Sequence, residues 1–523
     1  MLKTTYFKSI MKVAQFCTLL LSGVISLPVL HAQNPSVLQT VSPYSRFGIG
    51  ELQQNGAMIN SGMGGGGIGM RNDTLIPQFI NFANPASLTS NKLVAYEISL
   101  LSNTVQLSNA TANATFNRTT LGSFALTFPI KQWWGASFGI VPYSSVGYNV
   151  SNADSLAGIG PVVYKYEGSG GVNQVFLSNG FRPFANAPKQ YLLSNKYDKL
   201  KLASDTIAIK KQLRFKKNLS NISIGIQTSY LFGSLSNIRR DVFPDSLYTF
   251  NTKISKRTLF SDGYLNYGIQ YAFSLRKSLN PKYISMPDSN VIRKKIIRNE
   301  FSYLLNGQKD TAALFINVPG IRVSFGAVCS LPTQINTSND WLGQTYKQVG
   351  TIEQIRDTIL NEKNIESYVT IPAMYGFGFS LKSNSKWLFQ ADYMTQLWSK
   401  ASRGEINYGL KNSQRITAGL QLQPKANGRG KYMGVIQYRI GARWNQTFLE
   451  LNNTQLTESS VNFGMAMPCP YRTKLGEPVS RATVNFEYGY RGTTDLNLIR
   501  EDFFRLTIGL TINDRWFSHY KYD

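Results

Sequence analysis

Apolar and polar residues alternate with a period of two along much of this chain. From Phe504 to Ile512 every second residue is apolar, and arginine, threonine and glycine occupy the positions between them. The stretches 482–490 and 432–444 repeat the pattern. Since neighbouring side chains of a β-strand point to opposite faces, each stretch predicts a strand with one apolar and one polar face.

Thirteen stretches show this pattern clearly. A bacterial single-chain barrel has an even number of strands, so we predict about 14 strands, with the missing one in 143–166 or 298–305. The thirteen stretches are 94–100, 124–128, 134–140, 222–230, 265–275, 321–327, 375–381, 387–393, 416–422, 432–444, 461–467, 482–490 and 504–512.

The length of the clearest stretches, 9 to 13 residues, favours a transmembrane barrel over a soluble β-sandwich. A tilted strand needs about 9–11 residues to cross a bilayer, whereas sandwich strands are mostly about 5–6 residues long. The polar faces carry charged and amide residues, and the apolar faces begin and end in aromatic residues, as in outer-membrane barrels. We therefore predict an all-β fold, a transmembrane antiparallel β-barrel over residues 93–512 that is closed and leaves no strand edge in lipid.

The connections between the predicted strands differ in length. Lys382 to Lys386 is a short turn, whereas 151–218, 276–315 and 331–367 are long polar stretches. Short periplasmic turns and long extracellular loops are typical of outer-membrane barrels, so we predict loops in these three stretches. The densest positive patch is at 293–298. It is either a solvated loop or strand rim without a specific function, or a surface that contacts lipopolysaccharide phosphates or a protein partner.

The first 32 residues resemble a secretory signal peptide. Lys3, Lys8 and Lys12 precede an apolar stretch, and Ala32 is a small residue at a plausible cleavage point. An uncleaved membrane anchor is the alternative. No later stretch has 18 consecutive apolar residues, as a membrane-spanning helix would require. Together with the strand pattern, this predicts export to the outer membrane of a Gram-negative bacterium.

Composition excludes most enzyme classes. The chain has 523 residues, a formal net charge of +26 and two histidines, of which His31 lies in the predicted leader and only His519 remains. One histidine near the C-terminus cannot build a multi-histidine metal site and is a poor general base for a serine hydrolase. We predict no enzyme, no metal and no cofactor. Because the positive charge is spread over loops and lumen, we predict no nucleic-acid partner.

Two cysteines follow the leader, Cys329 and Cys469, and neither has the spacing of a metal site. They form either one disulfide or two free thiols.

The segment 33–92 differs from the rest of the chain. It contains four consecutive glycines at 64–67, which permit close approach to another wall, but no phosphate-loop lysine follows them. The segment is too apolar for a free linker. We predict a compact plug or hatch inside the barrel, with a loosely packed periplasmic extension as the alternative. The predicted organisation is 1–32 signal peptide, 33–92 plug, 93–512 barrel and 513–523 C-terminal tail.

Several of these motifs, in this order, are similar to the long-chain fatty acid transporter family of outer-membrane barrels, the FadL/TodX type. They are Asn84-Pro85-Ala86, the strands at 122–130 and 134–139, Tyr143 to Tyr148, and later 415–420 and 438–442. The resemblance implies a 14-stranded barrel whose hatch ends in Asn84, Pro85 and Ala86. It also implies that hydrophobic molecules pass the hatch and leave sideways through the wall. The long loops and the tail at 513–523 depart from the family pattern.

The leading functional prediction is an outer-membrane channel for hydrophobic compounds, such as long-chain fatty acids. Phe47, Phe79 and Phe82 are candidate pocket walls, and Arg46 or Arg71 could bind a carboxylate. Ordinary packing of the phenylalanines and an ion pair of either arginine with a lumen acid such as Glu487 are the alternatives. The expected partners are membrane lipids, lipopolysaccharide and a hydrophobic small molecule.

Three other functions remain to be compared with the channel. An accessory or structural subunit of an outer-membrane secretion or surface complex would need a protein partner, with the long loops as its docking surface. A water-filled porin is disfavoured by the glycine-rich segment, and an outer-membrane lipase by the lack of a suitable histidine.

Overall fold

The structure is a computed structural model of the whole chain, and it describes most of the predicted barrel. The predicted signal peptide, the basic patch at 293–298, most of the stretch 276–315 and the tail after Asp514 lie outside the described residues. The described residues are 40–53, 58–72, 79–110, 112–192, 206–244, 249–275, 304–305, 308–309, 321–383, 386–424, 432–469 and 480–514.

A closed antiparallel barrel of 14 strands forms the wall, which confirms the predicted fold class and strand number. Two of the 14 wall strands are each interrupted once, and their halves carry separate labels (β8 with β9, and β10 with β11). Strand β1, Glu51–Leu52, precedes the wall. The wall strands are β2 Val94–Ser108, β3 Asn113–Lys131, β4 Trp134–Leu156, β5 Gly160–Phe181, β6 Ile222–Val242, β7 Asn251–Ser274, β8 Ile321–Ser330, β9 Thr333–Val349, β10 Ile352–Ile371, β11 Met374–Ser383, β12 Trp387–Gln396, β13 Ser413–Leu422, β14 Gln437–Leu451, β15 Thr454–Pro468, β16 Ser480–Arg491 and β17 Arg500–Asp514.

The first and last wall strands close the barrel. β2 pairs with β17 along its whole length, from Val94 opposite Asp514 to Ser108 opposite Arg500. We call the rim where β2 begins and β17 ends the terminal end, and the opposite rim the far end. The β3–β4 turn, the β11–β12 turn and the long β5–β6 connection all lie at the terminal end. Long connections are therefore not confined to the far end, contrary to the predicted division into short-turn and long-loop ends.

In the part of the chain that the structure describes, helices are few and none is longer than 14 residues. They are α1 Met58–Ser61, α2 Ala187–Leu192, α3 Thr206–Leu219 and α4 Tyr432–Val435, with 3-10 turns at Pro43–Arg46, Pro85–Ser90, Trp398–Lys400 and Asp495–Asn497. Within the described ranges, no helix is long and apolar enough to cross a membrane. Cys329 and Cys469 are free thiols, which decides between the two possibilities left by the sequence.

The predicted two faces of the strands are present in the wall. In β12 and β13, Gln390, Asp392 and Thr417 are buried and face the interior, whereas Ile416 and Leu420 are exposed on the outside. The same division holds in β14 to β17, whose exposed aliphatic and aromatic side chains alternate with buried polar ones. A closed barrel with an apolar outer surface and a polar interior satisfies all backbone groups in lipid. The protein is therefore an outer-membrane barrel.

Three predictions about the local structure were wrong. The stretch 151–218 is not one loop, since β4 continues to Leu156 and the strand missing from the thirteen, β5, runs through it. The stretch 331–367 forms β9 and most of β10. Parts of both stretches extend beyond the other strands at the far end, where water on both faces removes the alternation that marks a half-buried strand. In the stretch 432–444, residues 432–435 form helix α4 instead of a strand.

Candidate ligand-binding cavity in the barrel lumen

We call the described residues before β2, which are 40–53, 58–72 and 79–91, the N-terminal segment. Its residues 58–72 and 79–91 follow the inner wall of the barrel around most of its circumference. A row of glycines on the inward face of the wall strands makes this close approach possible, because a Cβ at these positions would clash with the segment. A Cβ at Gly441 of β14 would lie 2.3 Å from the carbonyl carbon of Met63, and one at Gly326 of β8 would lie 2.1 Å from the Ile68 carbonyl oxygen. The other wall glycines in such contact with residues 58–72 and 79–91 of the segment are Gly135, Gly180, Gly225, Gly268, Gly376, Gly378, Gly419, Gly464 and Gly509.

Hydrogen bonds hold the segment to the wall strands. The Asp392 carboxylate on β12 accepts from the backbone N–H of Ile68 at 3.0 Å and from that of Gly67. Four strands further along the wall, the Asn485 side-chain amide of β16 donates to the Met58 carbonyl at 2.7 Å. Because these bonds reach buried backbone groups that have few other partners, they fix the path of the segment.

The Asn84-Pro85-Ala86 motif joins the segment to β7 and β8. Asn84 caps the following 3-10 turn, since its side-chain oxygen accepts from the Ala86 N–H at 3.0 Å. Its side-chain amide donates to the carbonyls of Ile68 at 3.0 Å and Ile269 at 3.2 Å. The motif therefore has a clear structural role.

A buried network of ion pairs connects the segment to β14–β17. Its members are Arg443, Arg491 and Arg505 together with Glu51, Glu458, Glu487 and Glu501. Arg491 pairs with Glu51, the network's only member from the N-terminal segment. Breaking a buried pair by removing one partner leaves an uncompensated charge, so the network ties β1 to the wall.

The wall is interrupted between β3 and β4. Their pairing ends at Phe124 opposite Ile140, although β3 continues beside β2 and β4 continues beside β5. Beyond this point, residues 143–148 of β4 are all buried, so the strand has lost its lipid-facing side and bends into the lumen. There its free edge pairs with β1, where Leu52 lies opposite Ser144. The interruption begins level with the exposed apolar Ile98 of β2, which is the partner of Phe124.

A cavity of about 300 Å³ lies in the lumen between the segment and the ion-pair network. Its apolar lining includes Phe82, Phe176 and Met394, and it reaches Gly122 and Val141, which lie on either side of the β3–β4 interruption. Arg415 of β13 also lines it, and its hydrogen bond is to the Met394 sulfur at 3.4 Å. Among the described residues, no carboxylate lies within ion-pair distance of Arg415.

The predicted ligand contacts are spread over several environments. Phe82 lines the cavity, whereas Phe79 is buried in the cluster beneath it and Phe47 packs against a second cluster towards the far end. Arg46 lies over the rings of Phe47 and Tyr166. Arg71 donates to Ser223, Gln270 and Thr89.

Glu487, the acid offered as a partner for Arg46 and Arg71, pairs with Arg443 and Arg505 instead. The cationic residue that the sequence did not single out is Arg415. It belongs to the polar face of a predicted strand, as do several other arginines, and the pattern does not reveal which of them lines the cavity without an ion pair.

Comparison with known proteins places the chain in a family. The family model described as BamG matches residues 14–188 and 316–523, well over half of the chain. The chain belongs to the BamG family. No curated protein matches the sequence. Membership of the FadL/TodX family, to which the sequence motifs are similar, is not shown.

Among solved structures, the chain is similar to several outer-membrane channels at low identity. The CymD monoaromatic hydrocarbon channel is 11% identical with a TM-score of 0.46, over 88% of this chain and 98% of that one. The Pseudomonas putida toluene transporter TodX is 11% identical with a TM-score of 0.47, over 89% and 99%. A Pseudomonas aeruginosa FadL homologue is 9% identical with a TM-score of 0.48, over 89% and 99%. At these values the likenesses carry no argument about the ligand of this BamG-family barrel.

Proposed function

We propose that this barrel binds an apolar molecule with an acid group in its luminal cavity and passes it sideways into the membrane. The observation that carries the proposal is the continuity of the cavity with the β3–β4 interruption, whose flanking residues Gly122 and Val141 both line the cavity. An apolar ligand gains by leaving the lumen directly for lipid, since it then never crosses a polar layer.

Arg415 supports the choice of an acid as ligand. Its guanidinium lines a cavity that also offers methionine and phenylalanine side chains, a combination that fits a carboxylate joined to an apolar tail. A charge-assisted hydrogen bond from arginine to a carboxylate is stronger than a bond between neutral groups, and arginine can make two of them. A long-chain fatty acid is the simplest molecule of this class.

The N-terminal segment would act as the predicted hatch. Its contacts with so many wall strands support a role as a fixed barrier across the lumen. Such a barrier favours exit of the ligand sideways through the wall over passage of the ligand along the barrel axis. In this proposal the only part that moves is β1, because β1 lies on the β4 edge beside the interruption.

Binding of palmitic acid to the purified barrel tests the role of Arg415. In Arg415→Met we expect palmitic acid to bind about 10-fold or more weaker, since hydrogen bonds to charged groups contribute roughly 1.5–3 kcal/mol. Hexadecanol has no carboxylate, so its affinity should be nearly unchanged. Isothermal titration in detergent measures both.

Arg500→Met is the matched control, because Arg500 pairs with Asp502 at the far rim and lies away from the cavity. It should bind palmitic acid like the wild type. A wild-type barrel that binds neither compound, or an Arg415→Met variant with unchanged affinity for the acid, would contradict the proposal.

A second candidate function, a subunit of an outer-membrane complex, is favoured by a different observation. At the far end, the wall between β4 and β10 continues as a sheet with a free edge, which is a suitable surface for another protein. The two functions are compatible because the cavity and this sheet are separate surfaces.

A further inference from the structure

Six strands continue past the rest of the wall at the far end and form a projecting sheet. Its order is β4–β5–β6–β7–β9–β10, and pairing continues as far as Leu156 opposite Gly160 in one hairpin and Val349 opposite Ile352 in another. We call these six strands the projection. Its β10 side is a strand edge outside the closed part of the barrel.

The outer edge of β10 is unpaired over most of its length. β10 pairs with β9 along one side, and on the other side only Val369 and Thr370 pair, with Arg403 and Ser402. Among the described residues, no strand pairs with this side between Ile352 and Tyr368. A free edge presents a row of backbone N–H and C=O groups, and another extended backbone satisfies them best.

The side chains along this edge include large apolar groups in water. Ile352, Ile355 and Ile359 are 67%, 58% and 60% exposed. Ile352 and Ile355 lie opposite Val349 and Tyr346 of β9, three residues apart, so they point to opposite faces of the sheet. A strand paired along this edge would therefore place side chains beside apolar groups on both faces. Exposed apolar side chains grouped on a surface are typical of interaction sites.

The hairpin of β9 and β10 is held in a fixed position. Glu353 of β10 pairs with Arg240 of β6 at 2.7 Å and with Lys253 of β7 at 2.7 Å. Burial raises the pKa of the Glu353 carboxyl, but the two cations outweigh burial and lower it overall. Lys256 lies 4.5 Å from the ring centre of Trp341 on β9. The edge is therefore an ordered template.

We propose that the edge of β10 from Ile352 to Ser367 receives an extended strand of another protein at the cell surface, which extends the projection by β-augmentation. Three register shifts between β9 and β10, and charges such as Arg356, Asp357 and Lys363, make the edge irregular. Such features disfavour indiscriminate pairing, so the partner strand carries charges in a complementary order.

Two other occupants fit the structure less well. A second copy of this chain would bring together two molecules that each have a formal net charge of +26, which opposes close association. The long connection between β7 and β8 leaves and re-enters the wall at the terminal end, whereas the free edge lies at the far end.

Hydrogen exchange of the β10 amides tests the proposal. The full-length protein is labelled in its own outer-membrane vesicles and, separately, after purification in detergent. Every second backbone amide of β10 points away from β9 towards the free edge. These amides should exchange at least 10-fold more slowly in the vesicles than in detergent. In the double variant Ile355→Lys/Ile359→Lys this difference should disappear, whereas Ile159→Lys, at the tip of another hairpin of the projection, should retain it.

A photo-reactive residue at position 359 gives an independent measurement in the same vesicles. The proposal requires that the adduct maps to one extended segment of one protein. Equal exchange in vesicles and detergent, protection that survives the double variant, or adducts with lipopolysaccharide alone would each overturn it. Palmitic acid binding measured on the same samples shows separately whether the cavity proposal holds.

Discussion

Single residues determine two properties of the lumen. One is the path of the N-terminal segment, and the other is the presence of a cationic side chain in the cavity that makes no ion pair among the described residues. Three arginines of the interior, Arg443, Arg491 and Arg505, each pair with glutamates. Arg415 lines the cavity and, among the described residues, pairs with none. The Arg415 guanidinium is partly buried, and Asp392, Glu458 and Glu487 line the same cavity. In the proposed function, the carboxylate of a ligand would bind at the Arg415 side of this cavity.

Gly441→Ala should displace the N-terminal segment. A Cβ there would lie 2.3 Å from the backbone of Met63, and backbone cannot move aside as a flexible side chain can. We expect the free energy of unfolding to fall by about 1–3 kcal/mol, as for other overpacked sites. We also expect the backbone amides of Met63 to Gly67 to exchange hydrogen faster than in the wild type.

Gly263→Ala is the matched control for this variant. Gly263 is also a strand glycine, but a Cβ at this position would meet nothing nearer than 4.0 Å. If the amides of Met63 to Gly67 exchange at the same rate in Gly441→Ala as in Gly263→Ala, the segment does not follow the wall as described.

From the sequence we could predict that glycines and polar residues lie in the lumen, but not which polar side chain would lie beside the cavity without an ion pair. Four glycines at 64–67 indicated close approach to a wall, and the segment does approach the wall closely at Gly64 and Gly66. Arg415 could not be selected, because whether an arginine has an acid beside it depends on which strands are neighbours, and the chain order of polar residues does not contain that information.

At the scale of elements, the unusual feature is the path of β4. It pairs with β3 near the terminal end, then bends inwards and pairs with β1 instead. The N-terminal segment thus supplies a short strand where the wall leaves an edge unpaired. In the proposed function, β1 would open or close the route between the cavity and the membrane.

A disulfide between β1 and β4 should stop transfer without stopping binding. Leu52 and Ser144 are opposite each other, and cross-strand Cα distances of about 4.5–5.5 Å suit a disulfide. In Leu52→Cys/Ser144→Cys, with Cys329 and Cys469 replaced by serine, we expect transfer of palmitic acid into liposomes to stop on oxidation and to recover on reduction.

The control is a disulfide elsewhere in the wall, Thr395→Cys/Gln414→Cys, which joins opposite residues of β12 and β13. It should leave transfer unchanged in both redox states. Oxidised Leu52→Cys/Ser144→Cys barrels that transfer the acid as fast as reduced ones would show that β1 does not control the route.

Most of the strand residues that the sequence missed share one physical cause. β9, β10 and the first half of β5 extend beyond the lipid, and a pattern of alternation arises only where one face meets an apolar phase and the other does not. The second half of β5 lies in the wall between β4 and β6, and this cause does not apply to it. Residues 352–366 of β10 are exposed almost throughout. Their pairing depends on β9 and thus on contacts that no local pattern records.

At the scale of the whole molecule, the barrel was predictable because each strand inside the bilayer independently carries the two-face pattern. Closure, strand number and the inward position of charged residues follow from the same pattern and from the cost of unpaired backbone in lipid. The cavity and the interruption of the wall arise from the combination of many strands with the N-terminal segment, which only the structure reveals.

The central claim, that the lumen binds an apolar acid, is tested most directly by native mass spectrometry of the protein released from its own outer membrane. We predict a barrel that carries one apolar acid, and an Arg415→Met barrel that has lost it while Arg500→Met retains it. A wild-type barrel recovered without any small molecule, whether alone or bound to another protein, would contradict the account.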